Sequence, residues 1–235
     1  MDLDALPGMT DITAVFAEAR LSDIEYICAV AKAYGCAATM VNPCYLSYTF
    51  KSTIGYDSIL KDAAICFPLG CDLTSVKVYS AKQAEIMGAQ EIDMMMNVSA
   101  FLSGNFKYTK HDIDAVVDSV KVPVKVVIET SLLNDTQIAA AAELVAKTGA
   151  QFIKTNTGFY PKPTTIETIR IIKDAIGDSI QIKASGGIRT KETMLEMAEM
   201  GVTRFGIRGP CAHQIFQDID KAMGRETPEI ASAPQ

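Results

Sequence analysis

Histidine is scarce in this chain: its 235 residues contain two, His111 and His213, far apart in sequence. Most transition-metal sites lean on clusters of histidine or cysteine. The six cysteines, Cys28, Cys36, Cys44, Cys66, Cys71 and Cys211, form no Cys-x-x-Cys pair. Any chemistry here is therefore expected to proceed with no metal and no cofactor. Positive charge is also short, with 22 Lys and Arg against 28 Asp and Glu. A net charge of −6 argues against a nucleic-acid or anionic-membrane partner, since both need a basic surface. A local basic pocket for a small phosphorylated ligand stays compatible with it. No apolar run approaches the ~20 residues that span a bilayer. The acidic start, Met1-Asp2-Leu3-Asp4, lacks the basic and apolar regions of a secretory signal. Free thiols and this start together suggest a cytoplasmic protein. Neither Gly-x-Gly-x-x-Gly after the first strand nor Gly-x4-Gly-Lys-Ser/Thr occurs, which weakens nucleotide-fold readings.

What the chain does have is alternation. Short β-rich runs, Cys36–Val41, Ala63–Phe67, Glu91–Asn97, Val124–Glu129, Phe152–Thr155, Ile180–Lys183 and Arg204–Ile207, are separated by helix-like stretches. Most are continuous apolar runs, as strands covered on both faces should be. A weaker run around Met9–Thr13 makes eight. Thr136–Lys147 is the clearest helix, with Asn134, Asp135 and Thr136 as capping residues and Gly149 as a stop. Gly35, Gly88, Gly149 and Gly201 each close such a helix, at spacings of 53, 61 and 52 residues. Half of each spacing, roughly 26–31 residues, is one βα unit. Glycine suits these positions if the chain leaves the helix through a left-handed conformation. Eight βα units predict a (β/α)8 TIM barrel of the α/β class, one catalytic domain over residues 1–224. Residues 225–235, with two prolines and few apolar residues, read as a flexible tail.

Barrel enzymes draw their reactive groups from strand C-terminal ends. Those ends carry Asp93 on the fourth strand, Lys154 on the sixth and Lys183 on the seventh. An ionisable residue inside an apolar strand must be paired, neutralised or functional. A lysine attacks a carbonyl only when neutral, yet it titrates near ~10.4; reaching pH 7 takes roughly three units, about 4 kcal/mol. A hydrophobic pocket and a second cation supply such a shift, and an aspartate can move the protons. That is Schiff-base aldol chemistry, although residue chemistry alone leaves open which lysine is the nucleophile. Ser185-Gly186-Gly187 and Gly206-Ile207-Arg208-Gly209 follow strands seven and eight, where loop amides of barrels often bind phosphate. Lys125 and Glu129 could flank the mouth or be satisfied by neighbouring charges. Met94-Met95-Met96 reads as core filling, the cysteines as small buried hydrophobes, and both histidines as surface or helix-end residues.

These stretches resemble the deoxyribose-phosphate aldolase family, from about Leu21 to Phe216. The matching segments are Val41-Asn42-Pro43, Cys66-Phe67-Pro68-Leu69-Gly70, Glu91-Ile92-Asp93-Met94, Val127-Ile128-Glu129-Thr130, Phe152-Ile153-Lys154-Thr155 with Thr157-Gly158, and Lys183-Ala184-Ser185-Gly186-Gly187-Ile188-Arg189. The resemblance implies reversible cleavage of 2-deoxy-D-ribose 5-phosphate to acetaldehyde and D-glyceraldehyde 3-phosphate. By it, Lys154 forms the Schiff base, Lys183 depresses its pKa and Asp93 handles protons. Asp11, Thr13, Thr157, Gly158, Gly186, Gly187, Arg208 and Gly209 are then the substrate-binding residues. A small aldehyde and a sugar phosphate are the implied partners, and barrels of this kind commonly form homodimers. Three departures stand out. Ala14-Val15-Phe16-Ala17 replaces the family's Leu-Leu-Lys-Pro-like run, Arg208-Gly209 stands where two small hydroxyl residues are usual, and Asn156 replaces a common serine. Arg208 could hold a phosphate bidentately, fit a carboxylate, or block the usual sugar phosphate. Two alternatives follow: the same chemistry on another phosphorylated or carboxylated aldehyde, and a non-catalytic sugar-phosphate-binding barrel.

Overall fold

The computed structural model describes residues 2–234. Eight strands, β1 (Thr10–Ala14), β2 (Ala38–Val41), β3 (Leu60–Ile65), β4 (Glu91–Met95), β5 (Val124–Val127), β6 (Phe152–Lys154), β7 (Gln181–Ser185) and β8 (Val202–Arg208), pair in parallel in chain order. β8 returns to β1, with Asp11 opposite Gly206, so the sheet closes into a (β/α)8 barrel. The helices are α1 (Ala5–Gly8), α2 (Leu21–Tyr34), α3 (Leu46–Ser52), α4 (Thr74–Ile86), α5 (Val98–Leu102), α6 (Phe106–Val117), α7 (Asp135–Ala146), α8 (Ile166–Ile176), α9 (Lys191–Glu199) and α10 (Gly209–Met223).

Closure explains the apolar strands. Outward side chains such as Ile12, Ile92, Val126, Ile153 and Ile182 are buried against the helix ring. The α7 start behaves as its residues dictate: Asn134 accepts from the Gln137 backbone N–H at 2.9 Å, and the Gln137 side chain accepts from the Asn134 N–H at 3.0 Å. Of the four repeated glycines, Gly35, Gly88 and Gly201 have positive φ. Gly149 does not. A Cβ there would sit 2.9 Å from Val117 Cγ1, so close packing, not backbone conformation, requires it.

Every strand differs from the sequence reading by a residue or two at an end, and β3 differs most. β3 starts at Leu60, three residues before Ala63, because Asp62 faces a charged barrel interior instead of solvent. It also ends before Phe67: Cys66 turns left-handed at φ 52 and throws Phe67 into the mouth. The cysteines are more exposed than expected. All six are free, but only Cys28 and Cys36 are buried. His213 is buried on α10, where Tyr26 Oη lies 2.7 Å from its Nδ1. Beyond Gly224, Ile230 and Ala233 pack against the core.

Candidate active site

The barrel interior is layered, each layer fed by alternate strands. The odd strands supply Asp11, Asp62, Lys125 and Lys183, every one fully buried. Below them the even strands supply Glu91, Phe152 and Arg204. Above them, toward the C-terminal mouth, stand Met40, Asp93, Lys154 and Gly206. Four carboxylates and four cations thus share one interior. Lys125 Nζ lies 2.6 Å from Asp62, 2.7 Å from Glu91, 3.2 Å from Asp93 and 3.6 Å from Asp11. Arg204 joins Asp11 at 2.6 Å to Glu91 at 3.1 Å. Leaving any of these charges single would cost several kcal/mol.

The three residues singled out from the strand ends meet at one oxygen. Asp93 Oδ2 lies 2.6 Å from Lys154 Nζ and 2.8 Å from Lys183 Nζ. β6 and β7 place Lys154 and Lys183 directly opposite each other in register. Their environments nonetheless diverge. Lys154 has one carboxylate partner, and its remaining neighbours are soft: Met40 Sδ at 3.5 Å and the Phe67 ring centre at 5.4 Å. Burial pushes its amine below the usual lysine range, Asp93 pulls the other way, and the Lys183 ammonium adds to the depression. Lys183 is buried as deeply, but Asp11 at 2.5 Å, Asp93 and Asp62 surround it. Burial opposes its charge, yet Asp11 and Asp93 outweigh burial and hold it above the usual range. Burial would also raise Asp93, but Lys154, Lys183 and Lys125 keep it well below a normal carboxyl. The result is one amine that gives up its charge more readily than an ordinary lysine beside one that holds its charge more firmly.

Above this ionic floor opens a cleft of about 180 Å³, walled by Thr13, Thr157, Gly158, Gly186, Gly187 and Arg208 among others. Two residues expected there lie elsewhere. Asp11 is beneath the cleft, in the ionic cluster. Gly209 opens α10, and a Cβ on it would press on Ile27. Gly186 and Gly187 have φ values of 89° and 80°, and a side chain on either would collide with Asn156 or Pro163. Arg208, about half exposed, lies over the Phe16 ring at 4.3 Å and reaches Glu18 at 3.8 Å. Phe16 stacks on Phe159 at 4.8 Å, and Phe159 meets Phe67 edge-on at 5.6 Å. These three rings form an apolar rim beside the lysines. A larger concavity, about 530 Å³, lies outside the barrel between α6 and α7, lined by residues such as Phe106, exposed His111 and Leu144, with no strand-end group.

The loops are pinned from below. Glu129, left-handed at φ 54, accepts from the Thr157 N–H at 2.9 Å and hydroxyl at 2.5 Å. Asn156 accepts from the Thr130 hydroxyl at 2.7 Å and donates to Thr164 at 3.0 Å. It therefore ties the β5, β6 and following loops together. Sequence reasoning assigned no role to Phe16, Asp62 or Arg204, and left Lys125 undecided. Asp62 and Arg204 carried a usable signal, a charge at an inward position of a barrel strand. Among the described residues, Asp11, Asp62 and Glu91 are the group with metal-ligand spacing. Lys125 and Arg204 already stand between them as cations.

Comparison with known proteins gives the same neighbourhood. Residues 8–217 match the model of the DeoC/LacD family of aldolases. Curated relatives named deoxyribose-phosphate aldolase include one from Clostridium kluyveri, 39% identical over 88% of this chain and 95% of its own. Another, from Staphylococcus epidermidis, is 40% identical over 90% and 96%. Among solved structures, QR15, an aldolase, superposes with a TM-score of 0.85 at 32% identity, covering 94% of this chain and 99% of its own. A tetrameric deoxyribose phosphate aldolase from Aeropyrum pernix reaches 0.83 at 23% identity, over 94% and 93%, and shares the fold. With a family match over most of its length and relatives near 40% identity, this chain belongs to the DeoC/LacD family of aldolases.

Proposed function

We propose that this chain reversibly cleaves 2-deoxy-D-ribose 5-phosphate to acetaldehyde and D-glyceraldehyde 3-phosphate, with Lys154 as the Schiff-base nucleophile. The supporting observation is the shared Asp93 oxygen, 2.6 Å from Lys154 Nζ and 2.8 Å from Lys183 Nζ. The neutral Lys154 amine attacks the C1 carbonyl of the open-chain sugar, and the carbinolamine loses water to give an iminium ion. Asp93 moves protons at the nitrogen and oxygen. A base takes the C3 hydroxyl proton, the C2–C3 bond breaks, and its electrons flow into the iminium as an enamine. Protonation at C2 and hydrolysis release acetaldehyde and the free amine. The Gly186 and Gly187 amides and Arg208 hold the phosphate.

Borohydride added with deoxyribose 5-phosphate should fix a mass adduct on Lys154. The Lys154→Leu variant should show no adduct and lose roughly 10³-fold or more in kcat. An undiminished adduct in that variant rejects the assignment. One observation favours a second reading: Arg208 is held toward Glu18 and Phe16 at the rim, where a carboxylated aldehyde could also reach it. A panel of phosphorylated and carboxylated aldehydes separates the two, and preference for deoxyribose 5-phosphate removes the second.

The six free thiols support a cytoplasmic setting. Among the described residues no helix is long and apolar enough to cross a membrane. We take the assembly to be a homodimer, supported by exposed Val76, Tyr79 and Ile86 along α4. Sedimentation equilibrium showing only monomer would reject it.

A further inference from the structure

We propose that Asp62 is a positioning residue that stores the proton given up by Lys154, at the far end of the chain Lys154–Asp93–Lys183–Asp62, and returns it when the carbinolamine loses water. This deepens the Schiff-base reading and rests on it. Each link is short: 2.6 Å from Lys154 Nζ to Asp93 Oδ2, 2.8 Å from there to Lys183 Nζ, and 3.3 Å on to Asp62 Oδ2.

Charge counting selects Asp62 as the terminus. Four interior carboxylates face four cations only while Lys154 is charged. Once Lys154 is neutral, one carboxylate lacks a counter-charge. Asp11 is held by Lys183 at 2.5 Å and Arg204 at 2.6 Å through different oxygens. Arg204 reaches both Glu91 oxygens, at 3.1 and 3.2 Å, and Lys125 adds a contact at 2.7 Å. Asp93 meets three lysines. Lys125 and Lys183 both reach Asp62 through Oδ2, and its buried Oδ1 accepts no hydrogen bond; Asp11 Oδ2 accepts none either, but it lies 2.5 Å from the Lys183 ammonium. An ionised oxygen in the position of Asp62 Oδ1 is what protonation relieves.

The titration of Asp62 agrees. Burial, then the negative charge of Asp93, pushes it up to about 7 against the pull of Lys125 and Lys183. The groups facing it are Asp11 from β1, Glu91 and Asp93 from β4, Lys125 from β5, Lys154 from β6, Lys183 from β7 and, through Asp11 and Glu91, Arg204 from β8. β2 contributes the uncharged Met40.

The transfer balances. Lys183 gives a proton to Asp62, and as the Lys154 N–H bond breaks and Asp93 takes that proton, Asp93 passes one on to the lone pair just freed on Lys183. One proton has moved, Lys154 and Asp62 are both neutral, and Asp93 and Lys183 are unchanged. At dehydration the chain runs backward. The proton reaches the carbinolamine hydroxyl, which leaves as water, and the new iminium cation faces a restored Asp62 carboxylate.

Infrared spectroscopy of the ligand-free protein tests this directly. Wild type should show the carbonyl stretch of a protonated carboxylic acid that disappears as the solution passes from about pH 5.5 to 8.5. Asp62→Asn should lack that band, and its single-turnover borohydride trapping should slow about tenfold or more with KM within about threefold. The wild-type rate is expected to decline above neutrality, and that decline should be absent in the variant. A wild type without a band titrating in that window, a band that survives in Asp62→Asn, or a variant with the wild-type rate and profile overturns the proposal. If the variant fails to fold, the wild-type titration decides alone. Because the band is read without substrate, its absence beside an intact Lys154 adduct rejects only the role of Asp62. An adduct persisting in Lys154→Leu rejects the functional reading.

Discussion

At the residue scale, the difference between Lys154 and Lys183 is one of company. Both amines are buried, but one meets a single carboxylate and the other three. Removing Lys183 takes away an ammonium that disfavours charge on Lys154, so the Lys154 pKa must rise. In Lys183→Met, the ascending limb of kcat/KM is expected to move to higher pH, with a loss of about 10²-fold or more at neutrality. A pH profile unchanged in position would contradict that coupling. Arg208 acts at the other end of the substrate. Arg208→Ser should raise KM for deoxyribose 5-phosphate, with little change in kcat if its grip is equal in ground and transition states. Improved turnover of that substrate by the variant would instead mean that Arg208 obstructs it.

At the element scale, most of the barrel was legible because outward positions of every strand must be apolar under a ring of helices. What misled was the inward face. Lys61-Asp62 falls outside a strand begun at its first apolar residue, yet Asp62 is as much a strand residue as Ala63. Asp93, Lys154 and Lys183 were found by the same logic applied at strand ends, whereas Arg204 sits at the lower end of β8 and drew no notice. The resemblance singled out the glycines after β7, and the structure gives a backbone reason for glycine there. Gly187→Ala combines a forbidden φ with a clash against Pro163, and should lower unfolding stability by roughly 1–3 kcal/mol. Urea denaturation measures it, and a variant as stable as wild type would mean that the β7–α9 loop yields.

At the scale of the whole molecule, the interior charges tie folding to acidity. Burial alone would raise Asp11, but Lys183, Lys125 and Arg204 lower it to about 2. A carboxyl depressed in this way stabilises the fold fully above its unfolded pKa, near ~3.9, and loses that contribution as pH falls toward 2. From Asp11 alone the loss is about 2 kcal/mol. Urea midpoints measured from pH 6 down to 2 should fall below pH 4, and less steeply in Asp11→Asn. Equal slopes would show that the loss arises elsewhere. Added salt should change these midpoints little, since buried pairs are poorly screened.

Met40 gives the paired amines a thioether for a neighbour, 3.5 Å from Lys154 and 3.8 Å from Lys183. Sulfur of this kind is a feeble acceptor, so it dries the nucleophile without competing for its hydrogens. An amide oxygen at the same spot would capture them and favour the charged amine. The activity of Met40→Gln should therefore recover as the medium is made more alkaline, a chemical signature of a lone pair that wild type keeps idle by surrounding it with poor company.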